Sequence, residues 1–135
     1  MPGPTPSHDG YLPYFLLFTA FLATVHSVIC YVSPPSAGLR QFSGHLSPPH
    51  TQLLAHVYGV KNIYTSLIRA YAAFNVNNRA LYDLATSTYV LVLFLFITEL
   101  TVWKTARVRE SVFPFLNAGV GLTWMMAARG WYLAN

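Results

Sequence analysis

The sequence predicts an all-α, polytopic membrane protein, a single domain (1–135) folded as a four-transmembrane-helix bundle, and three observations predict it. Charged residues make up only 9% of the chain, against 54% hydrophobic and 16% aromatic, far from the roughly one-quarter charged that soluble domains carry. The stretches 10–39, 84–98 and 111–128 hold no Asp, Glu, Lys or Arg, and each accommodates most of one crossing. Segments 11–32, 52–74, 84–103 and 112–133 reach the ~20 residues a helix needs to cross the hydrocarbon core.

The first segment opens with Pro13 in its first turn, where the missing N–H is not needed. Tyr11, Tyr14 and Tyr31 lie near its ends, as Tyr82, Trp103, Trp131 and Tyr132 do for later segments, at the depth where amphipathic rings favour the headgroup layer. No Lys or Arg precedes it in MPGPTPSHDG, so it lacks the charged start of a secretory signal and is expected to be retained. The loop that follows, SPPSAGLRQFSGHLSPPH (33–50), is rich in Pro and Ser; it is expected to be mobile, with His45 and His50 solvated.

The second segment is the least apolar. At 100° per residue, Tyr58, Lys61, Asn62, Thr65, Ser66 and Arg69 fall within an arc of roughly 140°, and Val57, Val60, Ile63, Tyr64, Leu67 and Ile68 occupy the rest. Lipid cannot satisfy such a face, so it is expected to turn toward other helices or a cavity. A short turn, NVNNRALY (75–82), leads to the third segment, and a basic turn, KTARVRE (104–110), leads to the fourth, which Ser111 and Pro114 are expected to start.

With four crossings, Arg40, Lys104, Arg107 and Arg109 share one side, and Arg79 and Arg129 the other. The positive-inside tendency assigns the first side to the cytosol. The net charge of +4 suits anionic headgroups of the lipid bilayer; no basic aromatic cluster outside the membrane points to nucleic acid. The lone Cys30 forms no internal disulfide. His8, His26, His45, His50 and His56 make no metal-binding box, and Gly119 and Gly121 lack the rest of a dinucleotide loop. Neither metal nor cofactor is expected, and the two glycines are expected to serve close helix packing.

Folding the second and third segments back on their turn brings Arg69 level with Thr88 and within reach of Asp83, a structural ion pair, and brings Lys61 and Tyr58 toward Glu99. His26 and Asn117 fall at the same depth. The expectation is one buried polar cluster of His26, Tyr58, Lys61, Asn62, Glu99 and Asn117, with His56 just above. It admits a structural reading, in which paired polar groups fix helix register. It also admits a catalytic one, with Glu99 as general acid or base beside Lys61 or His26.

GYLPYFLLF (10–18), SVICYVS (27–33), SLIRAYAAFNVNN (66–78), LY (81–82) and FxxEL…WKTA (96–106) together resemble the ergosterol biosynthetic protein 28 family, in order and at matching spacing. That resemblance implies a small four-span protein of the endoplasmic reticulum membrane. It implies a non-catalytic scaffold that tethers the sterol C-4 methyl oxidase, the decarboxylating C-3 sterol dehydrogenase and the 3-keto sterol reductase, with the C-24 sterol methyltransferase nearby. Arg69, Tyr71, Asn78, Tyr82 and Glu99 keep the family pattern. Lys61 and Asn62 stand where the family usually has Trp-Thr, and Leu95 where it has a histidine, in LFITE (95–99). The departures converge on the polar cluster and suggest a divergent paralogue. Such a copy could tether enzymes of a secondary-metabolite pathway, or act as a cofactor-free membrane isomerase or cyclase on a terpenoid or polyketide intermediate.

Overall fold

A computed structural model describes residues 10–133, so the expectation about the start of the chain rests on residues 1–9, outside the described part. Among the described residues the secondary structure is helical: α1 (Leu12–Val32), a one-turn α2 (Pro35–Gly38) followed by a 3₁₀ turn (Arg40–Phe42), α3 (Gln52–Phe74), α4 (Arg79–Thr101) and α5 (Val108–Tyr132). Two of the long helices begin where a short polar side chain takes up a free backbone N–H. Thr51 accepts from Leu54 N at 3.1 Å, and Asn78 from Leu81 N at 3.1 Å. The Asn78 cap starts α4 at Arg79 rather than at 84, which shortens the turn before it. Similarly, α5 starts at Val108 rather than 112, so Pro114 lies inside the helix, a position that membrane helices tolerate when neighbours satisfy the freed backbone.

Three of these helices, α1, α4 and α5, are long and apolar enough to cross a membrane. The fourth long helix, α3, has 23 residues but falls short in hydropathy, because His56, Lys61, Asn62 and Arg69 interrupt its apolar residues. Its polar arc turns inward: Asn62, Thr65 and Arg69 are buried, whereas Val57, Val60, Ile63, Tyr64 and Leu67 are exposed. Large apolar side chains also cover the outside of the other helices, including Phe18, Phe21, Leu91, Phe94 and Leu116, a surface suited to lipid rather than water.

In sequence order each long helix packs on the next: α1 along α3, α3 on α4, α4 on α5. Small residues permit the closest approaches. Gly59 lets α3 meet Cys30 and Tyr31 of α1, where an added Cβ would lie 3.1 Å from the Cys30 side chain, and Ser27 Oγ donates to Gly59 O at 2.8 Å. Gly121 of α5 faces the Tyr89 ring of α4, 2.6 Å from where a Cβ would sit, while Gly119 has open space around it. Of the two glycines only Gly121 serves tight packing inside the bundle. The apolar core lies at the end of the bundle formed by Leu12, Leu16, Ala73, Tyr82, Tyr89 and Met125.

The Pro-rich loop is not the mobile segment expected from its composition. Gly44 N donates to Thr105 O at 2.8 Å, Leu46 N to Lys104 O at 3.2 Å, and Arg107 N to Gln41 O at 3.1 Å. These bonds strap the loop to the α4–α5 turn. Phe42 inserts beneath them, stacked on Phe96 and edge-on to Tyr58, each at a centroid distance of 5.4 Å. His45 is exposed, as a solvated side chain would be, whereas His50 is half-buried with Nε2 2.8 Å from Phe42 O.

Candidate functional site

Where the inward arc of α3 meets α1, α4 and α5, the helices leave a cavity of about 190 Å³. α3 supplies Tyr58, Lys61, Asn62, Thr65 and Arg69; α1 supplies Thr19 and His26; α5 supplies Glu110 and Asn117; the strap supplies Gln41. Five of the residues expected to cluster, His26, Tyr58, Lys61, Asn62 and Asn117, therefore line one space. They converge because helical periodicity puts the α3 residues on one face, and His26 and Asn117 lie at equivalent depths on the helices opposite.

Inside the cavity wall the cations are held by neutral groups. Lys61 Nζ donates to Asn62 Oδ1 at 3.3 Å and lies 5.0 Å from the centre of the Tyr58 ring, within cation–π range. Arg69 Nε donates to Thr88 Oγ1 at 2.9 Å, and its guanidinium carbon lies 4.1 Å over the Tyr89 ring. The Tyr89 hydroxyl in turn shares a 2.7 Å hydrogen bond with Thr19. His26 Nε2 lies 2.7 Å from Gly38 O, which ties α1 to the start of the loop.

Two expected pairings are not made. Glu99 does not face Lys61: its carboxylate accepts from Thr105 Oγ1, and its carbonyl accepts from Thr105 N and Ala106 N at 2.9 and 3.3 Å. The chain folds back over the end of α4 and draws Glu99 into that turn, so the Lys61–Glu99 pair on which acid–base chemistry would depend is not assembled. Asp83 pairs not with Arg69 but with Arg129 of α5, in a bidentate contact of 2.8 and 2.9 Å. Arg69 lies deeper and takes the Thr88 hydroxyl instead. His56, expected just above the cluster, is not among the residues lining the cavity; it stacks on Tyr31 of α1 at 4.1 Å.

The acid that does face the cavity, Glu110, was not anticipated. It sits in the first turn of α5, where a carboxylate complements the helix dipole; that position is a sequence signal once the helix start is moved to Val108. Arg107 Nε lies 3.4 Å from Glu110 Oε1, but that oxygen is buried without a hydrogen bond, as are Asn62 Nδ2, Asn117 Oδ1 and Gln41 Oε1. All four belong to residues lining the cavity. Buried polar atoms are rarely left unpaired, so their gathering around one space is the most distinctive feature of the interior.

A family model described as Erg28 like protein matches residues 12–123. The ergosterol biosynthetic protein 28 of Saccharomyces cerevisiae is 29% identical over 127 residues, covering 91% of this chain and 83% of the relative. The protein of the same name from Candida albicans is 25% identical over 130 residues, covering 94% and 91%. That from Gibberella zeae is 34% identical over 84 residues, covering 62% and 49%. No solved structure matches the chain.

Proposed function

The chain belongs to the Erg28-like family, and from that membership we propose that it acts in ergosterol biosynthesis as a non-catalytic scaffold in the endoplasmic reticulum membrane. In this reading all four long helices cross the bilayer. The polar arc of α3 is covered by α1, α4 and α5, and its outward residues, from Val57 to Leu67, are apolar and exposed. The strap and the α4–α5 turn, with Arg40, Lys104, Arg107 and Arg109, face the cytosol. The clients are the sterol C-4 methyl oxidase, the decarboxylating C-3 dehydrogenase and the 3-keto reductase, with the C-24 methyltransferase close by.

The observation that carries the scaffold reading is on the outside of α5. A groove of about 590 Å³ runs along it, lined by Phe115, Leu116, Gly119, Val120, Thr123, Trp124 and Ala127. Gly119, Thr123 and Ala127 recur every fourth residue, the spacing that lets a second transmembrane helix approach closely, and among the described residues nothing lies within 4 Å of a Cβ added at Gly119. Expression in a yeast strain lacking its own family member tests the reading. The chain is expected to restore ergosterol, clear C-4-methylated and C-4-carboxylated intermediates and co-purify with the C-4 demethylation enzymes; Gly119→Leu is expected to weaken the co-purification. Failure to restore ergosterol or to capture those enzymes, with the protein well expressed in the endoplasmic reticulum, overturns it.

A further inference from the structure

We propose that the interior cavity is a binding site for an oxyanion, a carboxylate or phosphate group, held by Lys61 and Asn62. The inference is independent of the scaffold reading and rests on charge, unpaired groups and size. Lys61 and Arg69 both line the cavity, and among the described residues neither is ion-paired to a carboxylate; their contacts are neutral. Two cations brought out of water with no acid bonded to either are costly. An anion seated between the helices supplies the missing partner.

Asn62 identifies where the anion sits. The residue is 5% exposed, its Oδ1 is occupied by Lys61, and its Nδ2 is unpaired. An amide N–H beside an ammonium is a donor set for an oxyanion, and charge-assisted bonds of this kind are the strong ones. Glu110, the acid in the same wall, lies in the first turn of α5 near Arg107, more than a helical turn from Asn117 along the same helix. Its Oε1 lies against Arg107 at 3.4 Å, and among the described residues it forms no ion pair with Lys61 or Arg69, so it does not supply their missing partner.

Size limits what enters. An apolar cavity of about 150 Å³ holds a benzene, whereas pockets for drug-sized molecules run to roughly 300–1,000 Å³. At about 190 Å³ the space fits a head group and not a sterol nucleus. A second cavity of about 220 Å³ shares His26, Gln41 and Glu110 with the first and reaches Arg40, which is exposed, giving a route from the aqueous side. Leu22, Ala23, Phe113 and Pro114 form an apolar rim between α1 and α5 along which an alkyl chain can lie. The oxyanion thus has two available sources: the head of a single-chain amphiphile or a free ion.

The test uses the full chain in nanodiscs of phosphatidylcholine, with a fluorescent polyene fatty acid as probe, its methyl ester as the uncharged control, and a monoalkyl phosphate and inorganic phosphate as competitors. The acid is expected to bind saturably and the ester at least about tenfold more weakly, the ratio a single lost charge-assisted hydrogen bond produces. Lys61→Gln is expected to weaken the acid by about tenfold or more, Lys61→Arg to retain it, and Glu110→Gln to tighten it by removing a like charge from the cavity wall. Displacement by monoalkyl phosphate alone assigns the site to a lipid-borne head; displacement by inorganic phosphate as well assigns it to the free ion. Should Lys61→Gln not fold, Asn62→Leu serves in its place with the same expected direction. Equal binding of acid and ester, or unchanged binding in whichever of the two variants folds, overturns the proposal and leaves a water-filled cavity.

Discussion

The contact between Arg69 and Thr88 allows a quantitative test of how the interior is held. Arg69 is 5% exposed and donates from Nε to Thr88 Oγ1 at 2.9 Å, while the Thr88 hydroxyl donates to Ala85 O at 2.6 Å. Thr88→Val keeps the volume of the side chain and deletes the acceptor. A hydrogen bond to a charged group contributes about 1.5–3 kcal/mol, and its loss strands a buried cation, so the expected destabilisation is about 2 kcal/mol. Arg69→Met behaves differently. It forfeits that bond and a cation–π contact of up to about 2 kcal/mol, but it also removes a desolvation penalty of several kcal/mol. It strands nothing, because Thr88 keeps Ala85 O and Tyr89 keeps Thr19.

Arg69→Met is therefore expected to be the milder single variant. In its background Thr88→Val should cost only a few tenths of a kcal/mol, the scale of a helix-internal hydroxyl bond with no cation depending on it. The coupling energy comes to about 1.5 kcal/mol, above the average of about 0.6 kcal/mol for interhelical hydrogen bonds in a membrane protein. Reversible unfolding in mixed micelles, followed by helical circular dichroism against the mole fraction of dodecyl sulfate, measures all four corners of the cycle. Coupling below about 0.5 kcal/mol, or an Arg69→Met variant less stable than Thr88→Val, would refute the argument.

Two further outcomes follow from close packing. Gly121→Ala is expected to lose about 1–3 kcal/mol, the usual range for overpacking, because its Cβ would lie 2.6 Å from the Tyr89 ring, whereas Gly119→Ala meets nothing within 4 Å among the described residues and should be near neutral in the same unfolding assay. Gly44→Val places a side chain 2.5 Å from Lys104 O; it is expected to free the strap, seen as faster amide exchange at Gly44, Leu46 and Arg107, and unchanged exchange there would count against a docked loop.

The parts of this architecture that were legible in the sequence are those set by local period. The 100° repeat of α3 predicts that Asn62, Thr65 and Arg69 face inward, and they are buried. Counting from the α3–α4 turn places Arg69 level with Thr88, and the two are bonded. Counting from that turn alone offers Asp83 only Arg69, however; the α4–α5 hairpin brings Arg129, in the last turn of α5, to the same end of the bundle, and that pair forms instead. Hydropathy is equally blind to the turn after α4: Glu99 looks like an interior acid until the backbone of Thr105 and Ala106 folds onto it. Starting α5 at 112 hid Glu110 among turn residues. In the loop, Pro and Ser content suggested mobility, but backbone pairing of Gly44 and Leu46 with the opposite turn depends on where two distant segments land, which composition does not encode.

That docked strap explains why a polar cavity persists instead of closing. At the other end of the bundle α1 and α5 meet directly: Phe15 and Trp124 lie 5.4 Å apart, and Leu12, Leu16 and Met125 are fully buried in a common core. Toward the strap the same two helices line the cavity from opposite sides. The Arg40–Phe42 turn stands at that end, Phe42 packed between Tyr58 of α3 and Phe96 of α4, and Gln41 O takes the amide of Arg107 at the start of α5. A wedge of aromatic side chain and backbone hydrogen bonds thus props apart helices that lipid alone would leave free to close. The hydropathy that α3 forgoes is compensated by its neighbours: Thr24 and Ser66 share a 2.6 Å hydrogen bond, and Ser27 bonds Gly59 O, holding the polar helix against α1. Cavity and polar helix suit each other, since the arc needs polar surroundings and the strap contributes Gln41 to the wall of the space that supplies them.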